Sequence, residues 1–383
     1  MFVATKDKIL PTTVIGSYPR PHWYKESLNG RSFKDVLTDQ LFREQYFDAV
    51  SSTISDQTRA GLDIVTDGDS RFDLDVGGRS WFFYPIERLK GIEGSVTGST
   101  RWKDRFGIYP GHILWEVQEA YQPARVVNKI GRGSLEYTDV WKTAQKFTDK
   151  PVKFGSISAQ CIPGMLENEY YESEQDLVMD LANSINQELK ELDNAGCPVI
   201  QVEEPAIHMG ATTQGYETLE FLVKAFNKEV SGIKTEVWAH TCWGNPNQQS
   251  MQWNRPSYKD SLEYLWQLDA DVITFECASS EGAEISILSD IPKDKKLAIG
   301  VVSHTNTNVE PPEIVAEVIR KALKIVPPER LIVSSDCGFG REGLSRRIAF
   351  YKCVSIVMGT NIVRKELGLP EVDVPAANEK LYF

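Results

Sequence analysis

A histidine and a cysteine lie two positions apart in the stretch EVWAHTC, residues 236–242. The stretch has the pattern of a β-strand, and residues i and i+2 of a strand point to the same face. His240 and Cys242 therefore converge on one side of a sheet. An imidazole and a thiolate are typical zinc ligands, although a free cysteine also packs in protein cores as a small hydrophobe. The spacing predicts either a metal site or part of a core.

Further residues of the same chemical types follow the ends of other strand-like runs. Glu276 follows DVITF, and Cys337 follows LIVSSD. Zinc takes three or four nitrogen, sulfur and oxygen ligands, and adjacent strands lie about 5 Å apart. Glu276 can therefore share a metal with His240 and Cys242, while Cys337 reaches the same ion from the opposite side of the sheet's mouth. The alternative is four buried or capping residues that hold no metal.

These residues need a scaffold that gathers the ends of several strands. Strand-like runs rich in Val, Ile and Thr alternate with helical patterns, and the runs end near residues 17, 69, 158, 205, 242, 277, 304 and 338. Apolar runs that alternate with helices predict an all-parallel sheet buried on both faces. Eight such units predict a closed (β/α)₈ TIM barrel, whose active site lies at the carboxyl ends of the strands. A doubly wound open sheet is the alternative.

The segment from about Ser70 to Lys150 is too long for a simple loop. Its aromatic and glycine residues, as in GGRSWFFYPIERLKG at 77–91, predict a β-hairpin or meander inserted after strand 2 beside the mouth of the barrel. The chain has no repeat, low-complexity tract or linker. We therefore predict a single domain over residues 1–383, with an insert at about 70–150.

The overall composition excludes several classes of partner. The net charge is −12, from 42 Lys and Arg against 54 Asp and Glu, and no block of basic residues is present, which argues against nucleic acid and anionic membrane surfaces. No apolar run reaches the length of a membrane span, and the first residues lack the apolar core of a signal peptide. Six cysteines without a CxxC pair fit a reducing compartment rather than a disulfide framework or a zinc finger. These features predict a cytoplasmic protein.

The chain resembles a known family, the cobalamin-independent methionine synthases, in the C-terminal catalytic barrel of those enzymes and in a single-barrel form. The resemblance covers nearly the whole chain apart from the predicted insert. It rests on seven motifs: IGSYP at 15–19, LDIVTDGD at 62–69, VIQVEEPA at 199–206, HTC at 240–242, LDADVITFE at 268–276, GVVSH at 300–304 and DCG at 336–338. It implies a TIM barrel with one bound Zn²⁺. The zinc ligands that it implies are the four that strand geometry predicts: His240, Cys242, Glu276 and Cys337.

The resemblance also implies how the chemistry proceeds. Zinc binds the thiol of a substrate as its thiolate, and the incoming sulfur displaces or joins Glu276. The sulfur then attacks an alkyl carbon, whose leaving group must be protonated. His304 is the candidate acid, because the histidine side chain titrates near neutral pH. A helix cap near Pro311 is the alternative role for His304, and His208 is interpreted as a loop residue near the substrate or the surface.

The substrate-binding residues are implied by the resemblance alone. In the family, the I-G-S turn and two carboxylates bind the amino group of homocysteine. The corresponding residues here are Ile15, Ser17, Asp69 and Glu203. Asp69 is one carbon shorter than the family's residue and Glu203 one carbon longer, which moves each carboxylate oxygen by more than about 1 Å, enough to change a hydrogen bond.

The leading hypothesis is a zinc-dependent thiol S-alkyltransferase that methylates homocysteine to methionine. Its partners are a small-molecule thiol and an alkyl donor, which is methyl-folate, a methyl-corrinoid protein or an epoxide. One alternative is alkylation of another thiol, as in epoxyalkane:coenzyme M transferase. A sulfonate thiol of that kind requires arginines at the mouth, for which Arg20, Arg71 and Arg341 are available. A further alternative is a zinc-binding barrel without catalytic activity.

Overall fold

A computed structural model describes the chain in seven stretches: residues 2–28, 30–71, 80–94, 124–211, 216–243, 257–340 and 344–377. The strands in these stretches are β1 (Val65–Thr66), β2 (Lys90–Glu93), β3 (Ala124–Gly131), β4 (Val152–Ile157), β5 (Leu166–Asn168), β6 (Val199–Glu203), β7 (Glu236–Thr241), β8 (Val272–Phe275), β9 (Lys296–Val302) and β10 (Leu331–Ser335). The strands of the main sheet are buried at every residue except Gly155 in β4, as the apolar runs predict.

Helices alternate with these strands. The α-helices are α1 (Phe33–Val36), α2 (Gln40–Ala60), α3 (Ser80–Ile86), α4 (Tyr137–Gln145), α5 (Glu174–Asn194), α6 (Ala206–Ala211), α7 (Tyr216–Glu229), α8 (Leu262–Leu265), α9 (Pro312–Ala322) and α10 (Arg346–Glu366). Short 3₁₀ helices lie at Ala159–Cys161, Pro163–Met165, Tyr258–Ser261, Ala278–Ser280, Ala283–Asp290, Pro328–Arg330 and Pro375–Ala377. No helix within the described residues is long and apolar enough to span a membrane.

The main sheet is parallel and its strands follow one another in chain order, β1-β4-β6-β7-β8-β9-β10. A doubly wound sheet reverses its strand order at a switch point, and this sheet does not. The segment around Thr12 bonds to both of its edges: Thr13 N donates to Val333 O (3.0 Å), and Ile64 N donates to Thr12 O (3.1 Å). One segment can reach both edges only if the sheet curls. The chain therefore has an α/β fold with a curled parallel sheet.

Two hydrophobic clusters hold this fold together. The larger one lies between the sheet and the surrounding helices. The smaller one fills the inside of the curl with side chains from successive positions around the sheet: Ala4, Ile64, Val199, Trp238, Val272, Ala298 and Ile332. Side chains alternate along a strand, so the residues two and four positions after these also point inward. Those residues lie nearer the carboxyl ends of the strands.

The first two predicted strands are much shorter than their sequence patterns. Only Thr12 forms a bridge in the first, and only Val65 and Thr66 form a strand in the second. The reason is the backbone that follows each of them: Gly16 has φ 50° and Asp69 has φ 52°. Positive φ values break a β-ladder, so both segments turn where they reach the mouth of the sheet.

The predicted insert differs from its expected form. Strand β2 pairs antiparallel with β3, but β3 also pairs in parallel with β5, which lies beyond residue 150. Helix α4, inside the predicted insert, packs against the main sheet, and Trp141 Nε1 donates to Val152 O (3.1 Å). Residues 72–79 and 95–123 of the predicted insert lie outside the described part of the chain. Strands β2 and β3 of the described part join β5 in a small three-stranded sheet, β2-β3-β5.

Candidate functional site

Three potential metal ligands meet at the carboxyl end of the curled sheet. His240, Cys242 and Cys337 are buried, and one potential ligand atom from each lies within 4.8 Å of the others. His240 Nε2 is 3.3 Å from Cys337 Sγ, which is 3.4 Å from Cys242 Sγ. Around a tetrahedral zinc with Zn–S bonds of about 2.3 Å, two sulfurs are separated by about 3.8 Å. The three side chains therefore fit a metal ion with only a small movement.

The orientation of His240 is set by a residue that sequence reasoning missed. His240 Nδ1 lies 2.5 Å from Thr274 Oγ1 on the neighbouring strand β8, where the two residues are paired. If Nδ1 carries the proton and donates it to this hydroxyl, Nε2 keeps its lone pair for a metal. Thr274 is two residues before Glu276, so the alternation of the strand is a signal that places it on the same face.

Glu276 lies in a second group of buried residues beside the first. One ligand atom each of Glu276, His304 and Asp336 lies within 4.8 Å of the others. Glu276 Oε1 accepts a hydrogen bond from the backbone N of Trp243 (3.2 Å), which directly follows Cys242. The predicted ligand Glu276 and the predicted acid His304 are therefore neighbours. Helix α9 begins after Pro311 without a side-chain cap, so His304 does not cap it.

Both carboxylate oxygens of Asp336 accept hydrogen bonds from the protein. Its Oδ1 accepts from the backbone N of Cys277 and of Ala278, both at 2.8 Å. Its Oδ2 accepts from the backbone N (2.9 Å) and Oγ (2.6 Å) of Ser279. These bonds fix the chain immediately after Glu276. A Cβ on Gly300 would lie 2.0 Å from Asp336 Oδ1, which explains why glycine is needed there.

Asp69 and Glu203 converge on the tight turn at Gly16. A Cβ built on Gly16 would lie 3.1 Å from Asp69 Oδ2 and 3.7 Å from Glu203 Oε1. Glu203 Oε2 is also 3.6 Å from His240 Nε2. The two carboxylates therefore lie beside the soft ligands and on the same side of the sheet.

The I-G-S turn contacts the loop that carries Cys337. Ile15 packs against the thiols of Cys242 and Cys337. Ser17 O accepts from the backbone N of Phe339 (2.8 Å), and a Cβ on Gly338 would lie 2.5 Å from Ser17 Oγ. The structure thus brings Ile15 and Ser17 to the edge of the cluster.

A polar chain inside the sheet anchors Glu203. Lys153 Nζ donates to Gln201 Oε1 (2.6 Å), and Gln201 Nε2 donates to Glu203 Oε1 (2.7 Å). Burial lowers the pKa of Lys153 to about 7. Because the lysine takes the oxygen of the amide, the amide nitrogen faces Glu203. This chain holds the longer carboxylate in place.

Two of the three arginines named from the sequence, Arg71 and Arg20, are bound to groups of the protein. Arg71 is buried, pairs with Asp69 (3.1 Å) and Asp67 (3.5 Å), and donates to Gly155 O (2.8 Å). Burial raises the pKa of Asp67 to about 6, and Arg71 opposes that rise. Arg20 donates to Ser70 O (3.0 Å) and lies over the ring of Tyr24. Arg341 lies outside the described residues.

Comparison with known proteins gives the family. The family model for the cobalamin-independent synthase catalytic domain matches residues 10–77 and 113–355. A methionine synthase of Saccharolobus solfataricus is 35% identical over 365 residues, which cover 95% of this chain and 97% of that protein. One of Sulfurisphaera tokodaii is 34% identical over 360 residues, 94% of each chain.

A solved structure agrees with these matches. The B12-independent methionine synthase of Shewanella sp. W3-18-1, in complex with selenomethionine, superposes with a TM-score of 0.76 at 26% identity, covering 94% of this chain and 99% of that one. The internal gap in the match to the family model, residues 78–112, falls inside the segment that the sequence analysis treats as an insert. The chain belongs to the family of cobalamin-independent methionine synthase catalytic domains.

Proposed function

We propose that this chain is a zinc-dependent methyltransferase that transfers a methyl group to the sulfur of homocysteine and gives methionine. The observation that carries the proposal is the buried group of His240, Cys242 and Cys337 beside Glu276. Relatives that match nearly the whole chain are named methionine synthases. We further propose a closed (β/α)₈ barrel, which the bonds from the Thr12 segment to both edges of the sheet support. The proposal includes a single domain over residues 1–383 and a cytoplasmic location.

Four residues would hold the zinc: His240, Cys242, Glu276 and Cys337. When bound, zinc supplies the charge that keeps a substrate thiol in its thiolate form at neutral pH. The protein supplies the setting for this chemistry. Burial of all four side chains excludes bulk water, and the Trp243 amide holds one oxygen of Glu276.

The carboxylates around Gly16 would bind the amino group of homocysteine. Asp69 directs Oδ2 toward the turn while its Oδ1 pairs with Arg71. Glu203 is held on the other side of the turn by Gln201. Since Asp67 and Asp69 share one arginine, carboxylates outnumber cations there, and a positively charged ammonium group is favoured over an anion.

In the transfer itself, a bond forms between the homocysteine sulfur and the methyl carbon, and the bond between that carbon and the donor breaks. The electron pair of the broken bond stays with the donor atom. With methyl-folate that atom is a nitrogen and takes a proton, which His304 would provide. With a methyl-corrinoid the leaving cobalt needs no proton.

The other hypotheses have less support. A sulfonate thiol needs a cation at the mouth, yet Arg71 pairs with two carboxylates and Arg20 bonds to backbone carbonyls. An epoxide-opening enzyme of the coenzyme M type is therefore not favoured. A zinc barrel without activity leaves unexplained why His304 is buried beside Glu276.

Binding of homocysteine to the zinc-loaded protein should release about one proton, because the metal binds the thiolate and not the thiol. Isothermal titration calorimetry in buffers of different ionisation enthalpy measures this release. Homoserine, which has a hydroxyl in place of the thiol, is the matched control and should release none. Tight homocysteine binding without proton release would contradict the proposed role of the metal.

Replacing Asp69 with asparagine should weaken homocysteine binding by about 1.5–3 kcal/mol, the contribution of a hydrogen bond to a charged group. The matched ligand is 4-mercaptobutanoate, which is homocysteine without its amino group. Its affinity for Asp69→Asn should stay close to that for the wild type. Calorimetry on both ligands, with zinc content measured in parallel, separates loss of the ammonium contact from damage to the site. Equal losses for the two ligands would remove Asp69 from the ammonium site.

A further inference from the structure

A third buried histidine, after His240 and His304, contacts the backbone of the metal-ligand cluster. The sequence places His208 in a loop, but the structure places it in helix α6, where it is 1% exposed. His208 Nε2 lies 2.8 Å from the backbone oxygen of Cys242. A carbonyl oxygen only accepts hydrogen bonds, so Nε2 carries the proton and donates it. Among the described residues, Nδ1 has no hydrogen-bond partner.

This bond lies where strand β7 stops. Thr241 is the last residue of the strand, and its oxygen accepts from the hydroxyl of Tyr258 (3.1 Å). The oxygen of Cys242 accepts from His208, and the N of Trp243 donates to Glu276 (3.2 Å). Hydrogen bonds to side chains thus replace the strand-to-strand hydrogen bonds at Thr241, Cys242 and Trp243. The middle residue, Cys242, is a predicted metal ligand.

The rings that make these contacts pack on one another. The ring centroids of His208 and Trp243 are 4.5 Å apart, and those of His208 and Tyr258 are 5.2 Å apart. The Trp243 and Tyr258 rings are separated by 4.8 Å. The imidazole is therefore a fixed N–H donor in an aromatic cluster.

We propose that His208 is a positioning residue for the metal ligand Cys242. By holding the Cys242 carbonyl, it fixes the backbone from which the sulfur projects toward Cys337 and His240. In the proposed function a substrate thiol would displace or join Glu276 at the metal, so His240, Cys242 and Cys337 would have to keep their positions. The inference rests on the proposed zinc-dependent function. Groups that orient metal ligands in this way commonly contribute about 10–100-fold to metal affinity.

Two variants of His208 and one control elsewhere test this. His208→Phe keeps an aromatic ring but removes the N–H, whereas His208→Gln can place an amide N–H near the position of Nε2. Trp141→Phe is the matched control, because it also removes a buried ring N–H that donates to a strand carbonyl, Val152 O. Neither Trp141 nor Val152 is near a proposed metal ligand in the sequence. The measurements are the zinc Kd, by competition with a chromophoric chelator, and the thiolate-to-metal absorption bands of the Co²⁺-substituted protein.

We expect His208→Phe to raise the zinc Kd by about 10–100-fold and to shift the cobalt bands. His208→Gln should restore both to near the wild-type values, and Trp141→Phe should change neither, although it lowers the melting temperature. If His208→Phe does not fold, His208→Asn takes its place, because its shorter amide does not reach the carbonyl.

Two results would overturn this inference but not the proposed function. One is that His208→Phe keeps the zinc Kd and the cobalt bands of the wild type. The other is that Trp141→Phe raises the zinc Kd as much as His208→Phe does. Wild-type protein that binds neither zinc nor cobalt would overturn the inference and the proposed function together. The two failures are therefore distinguishable.

Discussion

Replacing Cys337 with alanine is expected to abolish stable zinc binding and, with it, methyl transfer. Cys337 Sγ is the atom that contacts both other soft ligands, His240 Nε2 at 3.3 Å and Cys242 Sγ at 3.4 Å. A residue that only orients a metal ligand contributes up to about 100-fold to metal affinity. Loss of a ligand itself should reduce the affinity by more than that. Elemental analysis of purified protein measures the effect, against about one zinc per chain expected for the wild type.

The matched control is Cys353→Ala, which removes another fully buried thiol, from helix α10, and should leave the zinc content unchanged. The wild type and Cys353→Ala need a reducing agent throughout, because the Cys242 and Cys337 sulfurs, 3.4 Å apart, can oxidise to a disulfide once metal is removed. Undiminished zinc in Cys337→Ala would exclude Cys337 from the site. Zinc-free wild-type protein that does not take up added zinc would refute the metal assignment as a whole.

His304→Gln is expected to lower kcat with methyl-folate by about 10²–10⁴-fold, the usual contribution of a positioned acid. The substitution keeps a polar side chain of similar length next to Glu276 but removes the ionisable proton. Zinc content and homocysteine affinity should stay unchanged, because His304 is not among the proposed ligands. The measurements are steady-state kinetics with the methyl donor varied, metal analysis and calorimetry.

Comparing two donors tests whether His304 acts as an acid. With methylcobalamin the leaving cobalt takes no proton, so His304→Gln should lose far less activity with that donor than with methyl-folate. Equal losses with both donors would show that His304 acts on binding or geometry rather than on the leaving group. His22→Gln is the control, since His22 is exposed on the surface.

The fold was predictable where the pattern of apolar residues alone determines the structure. Alternating apolar runs and helices predict the parallel sheet, and its strands follow one another in that order. The predictions failed where a turn overrides the pattern. TTVIGS and LDIVTDGD read as full strands, but positive φ at Gly16 and Asp69 ends their pairing early. The sequence did not predict the third strand of the small sheet, β5. Strand β4 of the main sheet lies between β3 and β5 in the chain, so their pairing joins segments that are not consecutive.

The candidate site was predictable to the extent that its residues end strands. The structure brings His240, Cys242 and Cys337 together, and places Glu276 beside His304. The supporting residues were missed, because their contribution depends on contacts that one sequence does not display. Thr274 and Gln201 share a strand face with residues that were named, so alternation was an available signal for both. His208 carried no such signal, since its partner is a backbone carbonyl.

The contact between the first turn and the last strand has a consequence for how the protein is made. Ile15 N donates to Ser335 Oγ (3.0 Å) across 320 positions of the chain. Contacts between such distant residues raise the contact order and slow folding, because a large loop must close before they form. During synthesis a chain that lacks β10 also lacks Cys337, so the metal-binding group is incomplete until nearly all of the protein has been translated. The proposed zinc would therefore be acquired in the last stage of folding, and we expect zinc shortage to slow the maturation of newly made protein before it removes metal from protein already folded.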